Sequence, residues 1–199
     1  MKLTRLSGRE EISRPFRYEL EILAQSASPD GAVATSGLLG RPATVTLSNV
    51  QDGERYINGV IAEFAQVDYG ERYHLYRAVL RPAFWLLSRR ADCRIFQKKS
   101  TPGIFAAVCS QPGLSIAHRS ALSGKYADWE YRVQYRESDF DFLSRLLEHE
   151  GIYYYFEHSH GKHDIVLADD AAKLSEVPGY KDVPYYPPSR TALCASAIT

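Results

Sequence analysis

Hydrophobic residues in the first third of the chain recur at every second position. In Phe16-Arg17-Tyr18-Glu19-Leu20-Glu21-Ile22 the apolar side chains fall on one face of an extended strand and the charged ones on the other. Residues 43–50, preceded by the break Gly40-Arg41-Pro42, predict a second strand. Residues 56–67 and 73–80 predict two more, flanking the hairpin chemistry of Asp68-Tyr69-Gly70-Glu71. Residues 26–40, poor in large apolar side chains, predict a long surface excursion between the first two strands. Strand-period runs with polar turns and no helical period predict a sandwich or a partly closed barrel.

The period changes after Arg81-Pro82. Thr101-Pro102 predicts a helix entry, with threonine as N-cap and proline at the first helical position; Ile104, Phe105 and Val108 form its apolar stripe, and Pro112-Gly113 stops it. Trp129, Tyr131, Val133 and Tyr135 alternate with Glu130, Arg132, Gln134 and Arg136, the clearest strand signal in the chain. Ser138-Asp139-Phe140-Asp141 resembles a capping box, Leu143, Leu146 and Leu147 continue a helical stripe, and Gly151 is a natural residue past the helix end. Residues 152–158 and 163–168 then predict a hairpin around Ser159-His160-Gly161-Lys162. The fold class expected is α+β, mainly antiparallel β. Residues 1–90 form a barrel-like unit, 91–175 a smaller α+β unit with two helices and a hairpin, and 176–199 a connector rich in proline and tyrosine.

Composition narrows the function classes. In 199 residues, 24 Lys+Arg balance 24 Asp+Glu, so nothing draws the whole molecule toward nucleic acid or an anionic membrane. The longest unbroken apolar run, 104–109, is far short of the roughly 20 residues a membrane helix needs. No apolar h-region follows Met1-Lys2-Leu3-Thr4-Arg5, and Cys93, Cys109 and Cys194 lack paired spacing, which fits reduced thiols in a cytosolic fold. Charge is segregated along the chain. Residues 81–99 carry six basic groups against Asp92, a net of +5, and 128–157 carry eight acidic groups against three arginines, a net of −5. These segments either lie apart or pair within one molecule; alternatively they meet head to tail between copies and close a ring.

Candidate chemistry is sparse. His158, His160 and His163 could chelate zinc or copper, but at a hairpin tip, with no cysteine nearby, they read as solvated loop histidines. Asp139 and Asp141 point to different sides of a helix. Asp141 and Glu148 share a face about 10 Å apart, so these acids read as a capped, solvated helix face rather than a glycosidase pair. Gly113-Leu114-Ser115-Ile116-Ala117 lacks the second glycine of a nucleophile elbow, and Cys109 sits inside an apolar stripe as a structural thiol. No catalytic, cofactor or metal residue is assigned. Tyr131, Tyr135, Tyr153, Tyr154 and Tyr155 carry two open readings: half-buried sheet faces, or a subunit contact.

The run Gln134-Tyr135-Arg136-Glu137-Ser138-Asp139-Phe140-Asp141-Phe142, continuing through Arg145-Leu146-Leu147-Glu148 and Glu150-Gly151-Ile152 to Tyr153-Tyr154-Tyr155-Phe156, resembles the VgrG spike proteins of type VI secretion. Arg94-Ile95-Phe96-Gln97, Lys99-Ser100, Phe16-Arg17-Tyr18-Glu19-Leu20 and Leu39-Gly40-Arg41-Pro42 fit the same pattern. The resemblance implies a fold similar to contractile phage tail hub proteins, with residues 1–90 as a tube domain. It implies a non-enzymatic hub or spike component that forms a homotrimer, caps a hexameric Hcp-like tube and carries effectors through more C-terminal regions. It implies residence in the bacterial cytoplasm before firing and export without a signal peptide, with no cofactor, nucleic acid or membrane span. Because such a hub continues past Thr199, the chain is expected to be either a truncated form or a shortened relative. The alternatives are a phage tail baseplate hub, a metal-dependent hydrolase using His158, His160 and His163, and a carbohydrate-binding module using exposed tyrosines.

Overall fold

A computed structural model describes residues 2–25, 37–49, 53–69, 73–114 and 116–174. The excursion at 26–36, the turn at 70–72 and the connector at 176–199 lie outside the described residues. The alternating first third forms β1 (Lys2–Glu11), β2 (Arg14–Gln25), β3 (Pro42–Asn49), β4 (Gly53–Tyr69) and β5 (Tyr73–Arg81). These make one antiparallel sheet in the order β1-β2-β5-β4-β3, curled as a half-barrel rather than closed. Along β2 the period-two pattern holds: Phe16, Tyr18 and Leu20 are buried and pack with Val45, Ile57, Ala78 and Leu80. At Gly59 of β4 the backbone approaches β5 and β2 so closely that an added β-carbon would stand 2.8 Å from the Arg81 carbonyl and 3.2 Å from the Phe16 ring.

A 3₁₀ segment, Ala83–Arg89, leads to β6 (Ala91–Lys99), α1 (Thr101–Cys109), β7 (His118–Ala121), β8 (Trp129–Ser138), α2 (Asp139–His149), β9 (Tyr153–Ser159) and β10 (Lys162–Ala168). β6 pairs with β8 as a two-stranded ribbon, and β7-β10-β9 form a small sheet whose β7–β10 pair is parallel. A second core gathers Ile104, Phe105 and Val108 of α1, Phe142, Leu143, Leu146 and Leu147 of α2, and Tyr154, Ile165 and Leu167 of the hairpin. Phe84 and Leu87, from the stretch before β6, are fully buried in this core. Phe156 packs against both cores and joins them.

Helix ends follow local chemistry, with one shift from expectation. Ser100, not Thr101, caps α1: its hydroxyl accepts the Gly103 N–H, while Thr101 is the first helical residue and donates from its buried hydroxyl to Glu150. Proline is tolerated at either early position because first-turn N–H groups have no intrahelical partner. α1 stops at Cys109, before Pro112-Gly113. Cys109 is buried, and burial pushes its thiol up to about 12, as befits a structural residue. Ser138 caps α2 by accepting the Asp141 N–H at 3.0 Å. Gly151, at φ 68°, ends the helix, with Gly151 N–H donating to Glu148 O and Ile152 N–H to Leu147 O.

Candidate functional site: a histidine clasp and an exposed ribbon

Two features stand out against this frame. The first is a polar clasp between the half-barrel sheet and the β9–β10 hairpin. His158 and His163 are cross-strand partners in the hairpin. They continue the inward face of Tyr154 and Phe156 on β9 and of Ile165 and Leu167 on β10, so the hairpin presents them to the sheet. This corrects the expectation of solvated tip histidines. Only His160 stays exposed at the turn, its ring edge-on to Tyr56, whereas the His158 side chain is 10% exposed and stands 4.9 Å, ring to ring, from Phe16.

Asn58, buried on β4, organises the clasp. Its backbone N–H donates to His158 Nδ1 at 3.1 Å, and its side-chain Nδ2 donates to Ala43 O and Thr44 Oγ1. That leaves Asn58 Oδ1 facing His163 Nδ1 at 2.8 Å, while His163 Nε2 accepts the Ala83 N–H at 2.9 Å. A backbone N–H can only donate, so the neutral tautomers are fixed. His163 carries its proton on Nδ1 and gives it to Asn58. His158 carries its proton on Nε2 and gives it to Glu10 Oε1 at 2.9 Å. Burial, with neighbouring His158, lowers the His163 pKa to about 4. At the outer end the Tyr18 hydroxyl donates to Glu10 at 2.6 Å. Burial works against the Glu10 charge, but the hydrogen bonds from His158 and Tyr18 outweigh it and hold the carboxyl below its ordinary range. Tyr18 reaches this position because its ring lies across Gly8, where a β-carbon would occupy the same space. The ring nitrogens of both clasp histidines are therefore committed to the fold. Among the described residues, no group of three or more histidine, cysteine or acidic side chains is arranged to hold a metal ion.

The second feature is the outer face of the β6–β8 ribbon. Ile95 and Val133 are register partners, and with Tyr131 and Tyr135 they are 66, 41, 61 and 63% exposed. The opposite face holds polar Gln134, fully buried, which accepts from Arg94 and donates to Asp139 at 2.8 Å. Asp139 itself is buried between Arg94 and Arg90, which corrects its assignment to a solvated helix face. The basic segment and the acidic segment thus meet within one molecule, at Arg90, Arg94 and Asp139. Of the tyrosines, Tyr154 fills the second core, Tyr153 and Tyr155 are half-buried, and Tyr131 and Tyr135 face outward. An open cleft of about 930 Å³ also lies between the β1–β2 turn, the 3₁₀ segment and α2. Of its four carboxylates, Glu11 and Glu19 are engaged by Arg9 and Arg17, Asp141 accepts the Ser138 hydroxyl, and Glu148 is the fourth.

A half-barrel sheet, a helix pair under a hairpin and a committed polar clasp describe an architectural part, and comparison with known proteins places it. Residues 9–198 match the model of the phage tail baseplate hub (GPD). The chain belongs to that family. It is 44% identical over 189 residues to the type VI secretion system spike proteins VgrG1b and VgrG1c of Pseudomonas aeruginosa, matching 95% of this chain and 25% of each relative. The hub chain therefore spans about a quarter of the length of those relatives. Its fold also resembles the solved structure of the E. coli c3393 protein, a type VI secretion system component similar to T4 bacteriophage tail proteins gp27 and gp5. The TM-score is 0.75 at 26% identity, covering 88% of this chain and 51% of that one.

Proposed function

We propose that this hub chain is a structural, non-enzymatic part of a contractile injection machine of the type VI kind. Three copies associate into a ring with their half-barrel sheets toward a conduit, the ring caps a hexameric Hcp-like tube, and effectors attach through regions that longer relatives carry. The protein stays in the bacterial cytoplasm until the machine fires and leaves by ejection. Residues 1–90 act as the tube unit and 91–175 as a supporting unit. The two cores support this division, although Phe156 packs against both and Phe84 and Leu87, from the first segment, are buried in the second core.

The observation that carries the reading is an open, curled sheet joined to an exposed apolar ribbon, in a chain whose residues 9–198 match the hub family. Among the described residues β1 pairs only with β2 and β3 only with β4, which leaves two sheet edges able to join neighbouring copies. Contiguous exposed apolar faces on such proteins mark contact sites, and Tyr131 and Tyr135 supply the amphipathic area that interfaces favour. The hydrolase alternative is not favoured, because His158 and His163 have no ring nitrogen left for a metal. Light scattering on the chain, alone and with the hexameric tube protein, tests the proposal. A three-copy mass or a stable tube complex supports it, and a monomer indifferent to the tube overturns it.

A further inference from the structure

The clasp has a direction built into it. His163 must accept at Nε2 from the Ala83 N–H and donate at Nδ1 to Asn58, an arrangement that only the neutral ring satisfies. A proton added to Nε2 would point at another donor, lose the Ala83 bond and place a cation beside the Phe16 and Phe156 rings with no carboxylate hydrogen-bonded to it. We infer that His163 is an acid-released latch between the half-barrel sheet and the β9–β10 hairpin: acidification detaches the hairpin from the sheet while each side keeps its own core.

The groups that surround the latch set its response. On β9, His158 faces His163 at a ring separation of 6.2 Å and adds to the lowering of the His163 pKa. On β10, Asp164 pulls the other way, more weakly than burial and His158 together. From the sheet, Glu10 of β1 and Tyr18 of β2 act on His158 rather than on His163, and Arg55 of β4 acts on Glu10. The 3₁₀ segment contributes the Ala83 N–H, a fixed donor. The sign follows: the detached hairpin binds the proton at the ordinary histidine pKa of about 6.5, the docked one near 4, so the latch's contribution to docking is fully present above pH 6.5 and is lost as pH falls through 4. At pH 5 this linkage raises the opening equilibrium about 30-fold over its high-pH value, at pH 4 about 160-fold, and well below pH 4 it approaches about 300-fold.

The two cores give the latch two bodies to separate. The sheet keeps Leu20, Val45, Ile57 and Leu80 together, and the helices keep Ile104, Phe105, Phe142 and Leu146. Between them stand Phe16, Phe156, the clasp, and the Ser13–Tyr154 contact at the β1–β2 turn.

Amide exchange on the full chain, expressed as protection factors from pH 7 to pH 4.5, tests the latch. The expected result is a 10- to 100-fold loss of protection at Ser13, Asn58 and Ala83, with α2 and the β2–β5 pair unchanged. His163→Gln keeps an acceptor for Ala83 but cannot take up a proton, so its protection is expected to stay flat over the same range. Parallel loss across the whole chain, no loss at Ala83, or an undiminished response in His163→Gln would each overturn the inference. Should that variant fail to fold, NMR titration of the His163 ring in the unaltered protein decides: a midpoint well below 6.5 supports the latch, and one near 6.5 rejects it.

Discussion

Ser13 and Tyr154, 141 residues apart, hold each other by two hydrogen bonds: the Ser13 N–H donates to Tyr154 O at 2.8 Å, and the Tyr154 N–H donates to Ser13 Oγ at 3.4 Å. The β1–β2 turn is thereby pinned to β9. Ser13 achieves this with φ at 58°, in the left-handed region that residues with a branched β-carbon resist. Ser13→Gly loses the longer bond but relaxes the backbone, and its stability in urea should stay within about 0.5 kcal/mol of the parent. Ser13→Val should cost about 1–3 kcal/mol, since valine must either strain or swing the turn off β9. Equal stabilities for the two variants would show that the backbone conformation at Ser13 does not matter.

Asp139 is the hinge of the buried polar layer under the ribbon. Its carboxylate is shared between Arg94 and Gln134, with Arg90 at 3.9 Å. Asp139→Asn takes from Arg94 its buried charge partner and leaves only the half-exposed Asp92 at 3.3 Å, and should cost about 1–3 kcal/mol by denaturant unfolding. Arg94→Met combined with Asp139→Leu removes both charges and should recover part of that loss. A single variant as stable as the parent would mean that Asp92 and solvent, not Asp139, already neutralise Arg94.

Much of this fold was legible in the residues. Period two on Phe16, Tyr18 and Leu20, the Ser138 cap and the Gly151 helix end are local signals, and each element stands where its chemistry put it. The clasp was not legible, because His158 and His163 fall at the tip ends of the predicted strands, where the turn composition around His160 made them read as solvated. The discriminating signal was available: at strand spacing His158 shares a face with Tyr154 and Phe156, and His163 with Ile165 and Leu167, which predicts an inward face. Nothing local could say that the polar face of β8 is the buried one. Gln134 goes inward because Arg94 and Asp139, 40 and 5 residues away, satisfy it there, and that is a tertiary fact. The ribbon's apolar side was readable only as apolar, not as uncovered.

Asp169 clamps the loop after β7. Its carboxylate accepts the N–H groups of Ser123 and Gly124 and the Tyr126 hydroxyl. The Gly124 N–H lowers its pKa most; burial opposes it, but the Ser123 N–H and the Tyr126 hydroxyl add to the lowering, and the pKa falls to about 2 from an ordinary 3.8. The depressed value means that the clamp is intact above pH 3.8 and is lost as pH falls through about 2. NMR signals of Ser123 and Gly124 should therefore hold steady to about pH 3.8 and then shift together, with a midpoint near 2. Asp169→Asn should free the loop at every pH. A midpoint close to 4 would show that the carboxylate is solvated rather than clamped.

The exposed ribbon gives the sharpest separation of folding from assembly. Ile95 and Val133 stand opposite each other on the outer face, so neither contributes to the cores beneath. Replacing them by an opposite-charge pair, Ile95→Glu with Val133→Lys, keeps a favourable cross-strand contact and removes the apolar centre of the face. Surface changes of this kind alter stability by no more than about 0.5 kcal/mol, so the melting temperature should move by about 2 °C at most. Self-association, measured by sedimentation velocity across a concentration series, should weaken by at least about tenfold, because desolvated apolar centres carry most of the energy of such contacts. An unchanged association constant with an unchanged melting temperature would place the subunit contact elsewhere, at the open edges of β1 and β3.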